Sequence, residues 1–238
     1  MNIKFEITED GSHTLFVPER NEHYHSMHGA IQESMHVYID AGLRHCVKSE
    51  VKVLEIGFGT GLNAFLTLLE AEKNSRKIDF TSLELYPVSI TDAEKLNYAE
   101  LIDPTRKEVF NELHKTGWGK WNQVALYFSL LKMRLDFSNP SNFHPENKFD
   151  VVFFDAFAPE KQPEMWTPAI FDKIYSVSSE NAILTTYCAK GSVRRMLQAA
   201  GFFVERLLGP PGKKGNVAGS QKIGRVLIWI SPERLSCD

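Results

Sequence analysis

Gly57, Gly59 and Gly61 stand at every second position after the apolar run Val51 to Ile56, with Glu55 two residues ahead of the first glycine and a helical pattern opening at Leu62 and Asn63. A backbone without Cβ atoms comes against a ligand where any side chain would clash, and it tolerates the positive φ values that a tight strand-to-helix turn needs. The spacing reads as a cradle for a nucleotide-like ligand. The dinucleotide fingerprint needs its third glycine where Leu62 stands, and here that glycine comes one residue early. A carboxylate before the turn repels a pyrophosphate and suits a cation, such as the amino group of S-adenosylmethionine. The pattern favours that sulfonium cofactor over NAD, with a structural turn or another nucleotide as alternatives.

Further acids fall where a cofactor and an acceptor would meet. Glu84 ends the β-rich run Ile78 to Leu85, 23 residues after Gly61, close to the offset at which an acidic side chain meets ribose hydroxyls. A solvent-facing strand end is the alternative. Asp155 and Phe157 follow the apolar run Phe149 to Phe154, at the carboxyl end of a buried strand, where open α/β sheets bind ligands. Asp155 is expected to hold an acceptor nitrogen and Phe157 to stack on a planar group; a capping Asp and a core-filling Phe are the alternatives. Asp136, near the end of Leu131 to Phe137, is placed either to accept the adenine amino group or simply to end its strand.

Such side chains need a sheet to set them along one edge. Strands are expected at about 51–56, 78–85, 131–137, 149–154, 181–186, 202–208 and 225–230, with helices at 61–73 and 190–200. This alternation predicts a Rossmann-like α/β fold of the class I S-adenosylmethionine-dependent methyltransferase type, with a seven-stranded, mostly parallel sheet. The link Gly209 to Gly215 has no helical pattern, so the last strand is expected to run antiparallel. Residues 1–45 read as an N-terminal β-hairpin (Lys4 to Ile7 with Thr14 to Val17) and a cap helix within Ser26 to Leu43. Residues 46–238 read as the methyltransferase domain, with a helical, substrate-side insertion at about 87–122 that carries Trp118 and Trp121.

Composition narrows the class. The 238 residues fit one α/β domain, and 43% hydrophobic residues suffice for its core. A formal net charge of −3 gives no polyanion-binding signature, so nucleic-acid contact would need a local basic patch. Cys46, Cys188 and Cys237 are widely spaced, which excludes a disulfide framework and offers no zinc spacing. His23, His25, His28 and His36 lack the carboxylate or cysteine that would complete a ligand set, so no metal is expected; Tyr24, His25 and Ser26 instead suit closure of the cofactor pocket. The start of the chain has no signal-peptide pattern and no apolar run reaches spanning length, so a cytoplasmic protein without a membrane partner is expected.

The run Asp155-Ala156-Phe157-Ala158-Pro159-Glu160-Lys161-Gln162-Pro163-Glu164-Met165-Trp166 closely resembles the D-[GA]-F-A-P-x-K-x-P-x-M-W signature of the methyltransferase domain of the MnmC family of tRNA-modifying enzymes and its stand-alone relatives. Other segments agree with that family: Glu33-Ser34, Phe58 to Asn63, Val193-Arg194-Arg195, and the basic loop ending Lys213-Lys214. The resemblance implies methyl transfer from S-adenosylmethionine to the exocyclic amine of 5-aminomethyl-(2-thio)uridine at the tRNA wobble position. It also implies cofactor contacts at Glu33, Ser34, Phe58 and Asn63, and contacts to the tRNA anticodon region at Lys161, Trp166, Arg194, Arg195, Lys213 and Lys214. Scattered surface cations that only solvate a face are the alternative for the basic residues. The bifunctional members add an FAD-dependent oxidoreductase domain, for which a chain ending at Asp238 has no room. FAD is therefore not expected, and the aminomethyl precursor would come from another enzyme.

An alkyl amine of pKa about 10 is mostly protonated at neutral pH, and an ionised Asp155 would by itself favour the ammonium form. The role expected of Asp155 is to orient the amine and accept its proton as charge develops. A polyamine-synthase-like aminopropyl transferase, or a non-catalytic tRNA-binding relative, are the competing readings. The first is disfavoured by Lys161, Lys213 and Lys214, and the second by the intact Glu55, glycines, Glu84 and Asp155.

Overall fold

The computed structural model describes residues 3–207 and 225–229. A three-stranded antiparallel sheet opens the chain: β1 (Lys4–Ile7), β2 (His13–Val17) and β3 (Glu22–His23). It leads into α1 (Ala30–Ser34), which passes directly into a π-helical turn, Met35–Asp40. One extra residue per turn rotates the side chains that follow, a device common near functional sites. Here it buries Val37, Tyr38 and Ile39 together against the main domain.

The main sheet begins with β4 (Glu50–Ile56), α2 (Leu62–Lys73) and β5 (Lys77–Glu84). The expected insertion folds as α3 (Ile90–Ala93), α4 (Tyr98–Ile102) and α5 (Lys107–Lys115), and it ends in a strand, β6 (Trp121–Ala125). Next come β7 (Phe128–Arg134), β8 (Phe149–Phe154), α6 (Pro168–Val177), β9 (Ser178–Thr186), α7 (Gly191–Ala199), β10 (Phe203–Leu207) and β11 (Arg225–Trp229).

Among the described residues the sheet has eight strands in the order β10-β11-β9-β8-β4-β5-β7-β6. The mostly parallel Rossmann-like arrangement holds, and the expected strand count and the place of the reversed strand are corrected. Both β10 and β11 run parallel to their neighbours. The antiparallel pair is β6 with β7, at the other edge, with a register shift between Gln123 and Ala125. A two-residue link, Leu126 and Tyr127, is enough to turn a strand back on itself, and this joins as a hairpin what reads as a loop before a strand. The strand expected at 131–137 accordingly starts at Phe128.

Period-two alternation divides the strand side chains between two cores. Val51, Val53, Val151 and Phe153 face one side, with Phe65 and Leu68 of α2 and Phe110 of α5. Leu54, Ile56, Val152 and Phe154 face the other, with Ile170 and Phe171 of α6 and Val193 and Leu197 of α7. β4 lies between β5 and β8, so the chain leaves it in both directions across the sheet. Such a switch point opens a crevice at the carboxyl ends of the strands.

Gly61 turns the chain from that crevice into α2. Its φ is 74°, and a Cβ there would lie 2.8 Å from His114 Nε2. Gly61→Ala is expected to destabilise the fold by about 1–3 kcal/mol, the cost of a side chain held in the left-handed region with a clash added. Urea denaturation of the two proteins, compared at equal m-values, measures it.

Candidate active site

The ends of β4 and β8 meet backbone to backbone. Asp155 N donates to Ile56 O at 3.0 Å and Gly57 N to Leu83 O at 2.9 Å. Gly57 has φ 100°, and a Cβ on it would sit 2.5 Å from the Asp155 carbonyl oxygen. Only glycine admits that approach. Glu84 ties the turn to β5, accepting from Gly59 N at 3.0 Å and from Tyr86 N at 2.8 Å. Phe58 packs edge-on against His114, with ring centroids 5.3 Å apart.

Asp155 is held from two elements. Tyr38 of the π-helical turn donates its hydroxyl to Oδ1 at 2.6 Å, and Asn63 of α2 donates Nδ2 to Oδ2 at 2.9 Å. Burial pushes the carboxyl up to about 7; the Tyr38 hydrogen bond opposes this, the Glu33 charge adds to it and Asn63 opposes it. The Asp155 side chain is still only half-buried, because it opens onto a cavity of about 760 Å³. Around neutral pH this carboxyl takes up and gives back a proton at little cost.

Gly57, Phe58, Gly59 and Thr60, after β4, line that cavity, with Glu84 and Asp136 from the strand ends on one side of β4 in the sheet and Asp155 and Phe157 from the other. The N-terminal segment supplies the opposite wall with Tyr24, His25 and Glu33. His25 pins it to the cradle through Thr60 Oγ1 at 2.8 Å, and burial drives its pKa down to about 4, so its ring is neutral. Tyr24 stands edge-on to Phe157, with centroids 5.1 Å apart, and a Cβ on Gly59 would come 3.0 Å from its ring. Pairing of Tyr24 with Phe157 gives the mouth two aromatic surfaces beside a row of acids. That combination fits a cationic ligand with a planar base, and so fits S-adenosylmethionine.

The expected site residues do not all gather here. Glu33, Gly57, Phe58, Gly59, Asn63, Glu84, Asp136, Asp155 and Phe157 line the cavity; Glu55, Ser34 and Gly61 do not. Glu55, expected as a cofactor contact, is fully buried at the end of β4, in register with Val51 and Val53 along the strand. Ser34 is likewise fully buried. Asp136 lies in the loop beyond β7, exposed, accepting from Ser138 N at 3.0 Å. Trp166 is buried and donates its indole N–H to the Phe157 carbonyl at 2.7 Å, so it fastens the loop and offers no face to RNA.

Arg194 and Arg195 lie on α7 outside the cavity, Arg195 beside a shallow groove against α6. Lys161 is near the mouth, and its carbonyl accepts from Arg20 Nη1 at 3.4 Å. Lys213 and Lys214 lie outside the described residues. Three residues were not singled out from the sequence: Arg20, whose guanidinium lies 5.6 Å from the centre of the Phe157 ring, Tyr38, and Tyr187, which donates to the Ala156 carbonyl at 2.8 Å. Nothing in their spacing marks them. Among the described residues no group of three metal-ligating side chains comes together, and no helix is long and apolar enough to cross a membrane. His23 and His28 pair with Glu6 and Glu9.

A carboxyl raised in the folded state binds its proton more tightly there than in the unfolded chain. Its stabilising contribution is full below the unfolded value of about 3.9 and is lost as pH rises through the folded one. Wild type is therefore expected to lose stability relative to Asp155→Asn between about pH 4 and 7, with a constant difference above about pH 8, in urea denaturation across that range. Tyr38→Phe removes a donor to the charged form, and should move the Asp155 midpoint further up in carboxyl ¹³C NMR.

Residues 104–222, half of the chain, match the model of a family of S-adenosyl-L-methionine-dependent methyltransferases. The tRNA 5-methylaminomethyl-2-thiouridine biosynthesis bifunctional protein MnmC of Burkholderia thailandensis is 29% identical over 224 residues, which cover 89% of this chain and 34% of that protein. The protein of the same name from Hydrogenovibrio crunogenus is 34% identical over 191 residues, covering 75% of this chain and 28% of its own length. A crystal structure of MNMC2 from Aquifex aeolicus superposes with a TM-score of 0.70 at 26% identity, over 84% of this chain and 64% of that one. The chain thus spans about a third of the length of the curated relatives it matches. Matched over half its length by the family model, and sharing its fold with MNMC2, the chain belongs to the S-adenosyl-L-methionine-dependent methyltransferases as an MnmC-like methyltransferase domain.

Proposed function

We propose that this domain methylates the exocyclic amine of 5-aminomethyl-(2-thio)uridine at the wobble position of tRNA, with S-adenosylmethionine as donor. The observation that carries the reading is the place of Asp155, a carboxyl at the strand end beside the glycine turn, held by Tyr38 and Asn63 and facing a cavity with an aromatic mouth; burial pushes it up to about 7. The names of the curated relatives point to the same nucleoside. Glu33, the Gly57–Gly61 turn, Glu84 and Asp136 would hold the donor, which supplies an electrophilic methyl carbon.

The chain's own residues then have distinct tasks. Tyr38 and Asn63 fix the Asp155 carboxyl so that one oxygen can accept an N–H of the acceptor amine and aim its lone pair. As positive charge grows on nitrogen, Asp155 takes the proton, a transfer that its raised pKa makes less uphill. Phe157 and Tyr24 would receive the uracil, which must leave the anticodon stack to reach a recessed site. Arg20, over the Phe157 ring, and Lys161, whose backbone it meets, would offer cations to a tRNA phosphate. Lys190 is engaged with Glu160 and is not placed among them.

Incubation with labelled S-adenosylmethionine tests the proposal. Label is expected in tRNA carrying the aminomethyl group and not in tRNA carrying the carboxymethylaminomethyl group; label in neither sinks the function. Asp155→Asn should retain cofactor affinity and lose about 10²–10⁴-fold in turnover, the usual range for a positioned proton acceptor. Loss of cofactor binding in that variant would instead make Asp155 a donor-binding residue.

A further inference from the structure

Glu55 is a buried acid that the proposed reaction leaves without a task. Its side chain is 0% exposed. Oε2 accepts from Ser82 Oγ at 2.6 Å, while Oε1 is buried with no hydrogen-bond partner. Asn63 of α2, which donates to Asp155, also bears on the Glu55 carboxyl, and its own Oδ1 is buried without a partner. The charged groups that face Glu55 are acids: Asp155 from the end of β8 and Glu84 from the end of β5. Among the described residues no lysine, arginine or histidine is paired with it.

A carboxylate withdrawn from water needs a counter-charge or several donors, and this one has only neutral donors, the Ser82 hydroxyl and the Asn63 amide that it shares with Asp155. Two neighbouring carboxyls that share a wall hold one charge more readily than two.

We infer that Glu55 is a neutral carboxylic acid in the working protein, a positioning residue that braces Ser82 and Asn63 so that Asn63 keeps its donor on Asp155. A proton on Glu55 removes the second charge beside Asp155 and leaves Asp155 as the one carboxyl of the pair to titrate near neutrality. Burial acts the same way, pushing the Glu55 carboxyl well above the usual carboxylate range, with the Ser82 hydrogen bond opposing and the Asp155 charge adding. Glu55 then makes no ion pair with the ammonium group of a cofactor. The inference rests on the proposed reaction only for the task of Asp155.

Infrared difference spectra of wild type and Glu55→Gln test it without tRNA. A neutral-carboxyl C=O band is expected in wild type at neutral pH and should be absent from the variant. Titration calorimetry with S-adenosylmethionine should give dissociation constants within about twofold, and the Asp155 midpoint in ¹³C NMR should stay in place. No band, a cofactor affinity weakened by about tenfold or more, or an Asp155 midpoint that falls on loss of a neighbouring anion would each overturn the inference. Glu55→Ala removes the brace itself. Its turnover should drop about tenfold or more at unchanged cofactor affinity, with an Asp155 midpoint displaced upward, and the glutamine variant should restore both. If the alanine variant fails to fold, the band and the affinity of Glu55→Gln still decide. Failure of methyl transfer to tRNA would leave those measurements untouched and strike the proposed function instead.

Discussion

The contact between the backbone after β4 and the backbone after β8 is what the site depends on. Gly57 lies against the Asp155 carbonyl with no room for a Cβ, and hydrogen bonds through Ile56 and Leu83 lock both strand ends to the sheet. The glycine turn and the carboxyl proposed to meet the acceptor are thereby set side by side by main-chain atoms, which move less than side chains. Every other device in the site adjusts this pair. Glu84 holds the turn from β5, and Trp166 holds the following loop through the Phe157 carbonyl.

The N-terminal segment completes the site through polar groups whose charge states burial has set. His25 bridges to Thr60 as a neutral ring, and His114, hydrogen-bonded to the Thr60 carbonyl on the other side of the turn, is also driven down to about 4 by burial. Two neutral imidazoles therefore support the turn without adding positive charge beside the acids of the cavity. The nearby Lys132 ammonium is buried under Phe58 and Trp118 and donates to the Leu113 and His114 carbonyls at the end of α5. It completes a helix C-terminus, where a cation meets the negative end of the peptide dipoles.

The glycine turn, the strands on either side of it and the strand before Asp155 were legible because each carries a local signal: positive-φ glycines, or a short apolar run bounded by turn residues. The burial of Glu55 was not legible because a strand buried on both faces has no polar side to orient it. Alternation with Val51 and Val53 carries that information, since it puts Glu55 on the strand face that packs with α2. Tyr38 was out of reach for a different reason. A π-helical turn breaks the 3.6-residue period on which amphipathic reading depends, so the residue that meets Asp155 from 117 positions away looks like one more apolar position of a cap helix. The reversed edge strand was lost because its exposed Trp121 and polar Asn122 and Gln123 lack the apolar alternation of a half-buried strand.

Acids around a cavity pose a conflict for amine methylation. Glu33, Glu84, Asp136 and Asp155 line the cavity; in the proposed reaction they would attract a cationic donor and would equally stabilise the acceptor as an unreactive ammonium ion. Desolvation resolves the conflict in part, because withdrawal from water lowers an amine's affinity for its proton while raising that of a carboxyl. At Asp155 burial outweighs the donors around it. In the proposed reaction the two groups are brought toward the same pKa from opposite sides, and the proton can pass between them as the new bond forms. The wall that withdraws Asp155 from water is supplied in part by Tyr38, whose hydrogen bond limits the rise that burial imposes. The N-terminal segment thus sets how far the carboxyl stands from neutrality, and with it whether one residue can both draw in a cation and accept its proton.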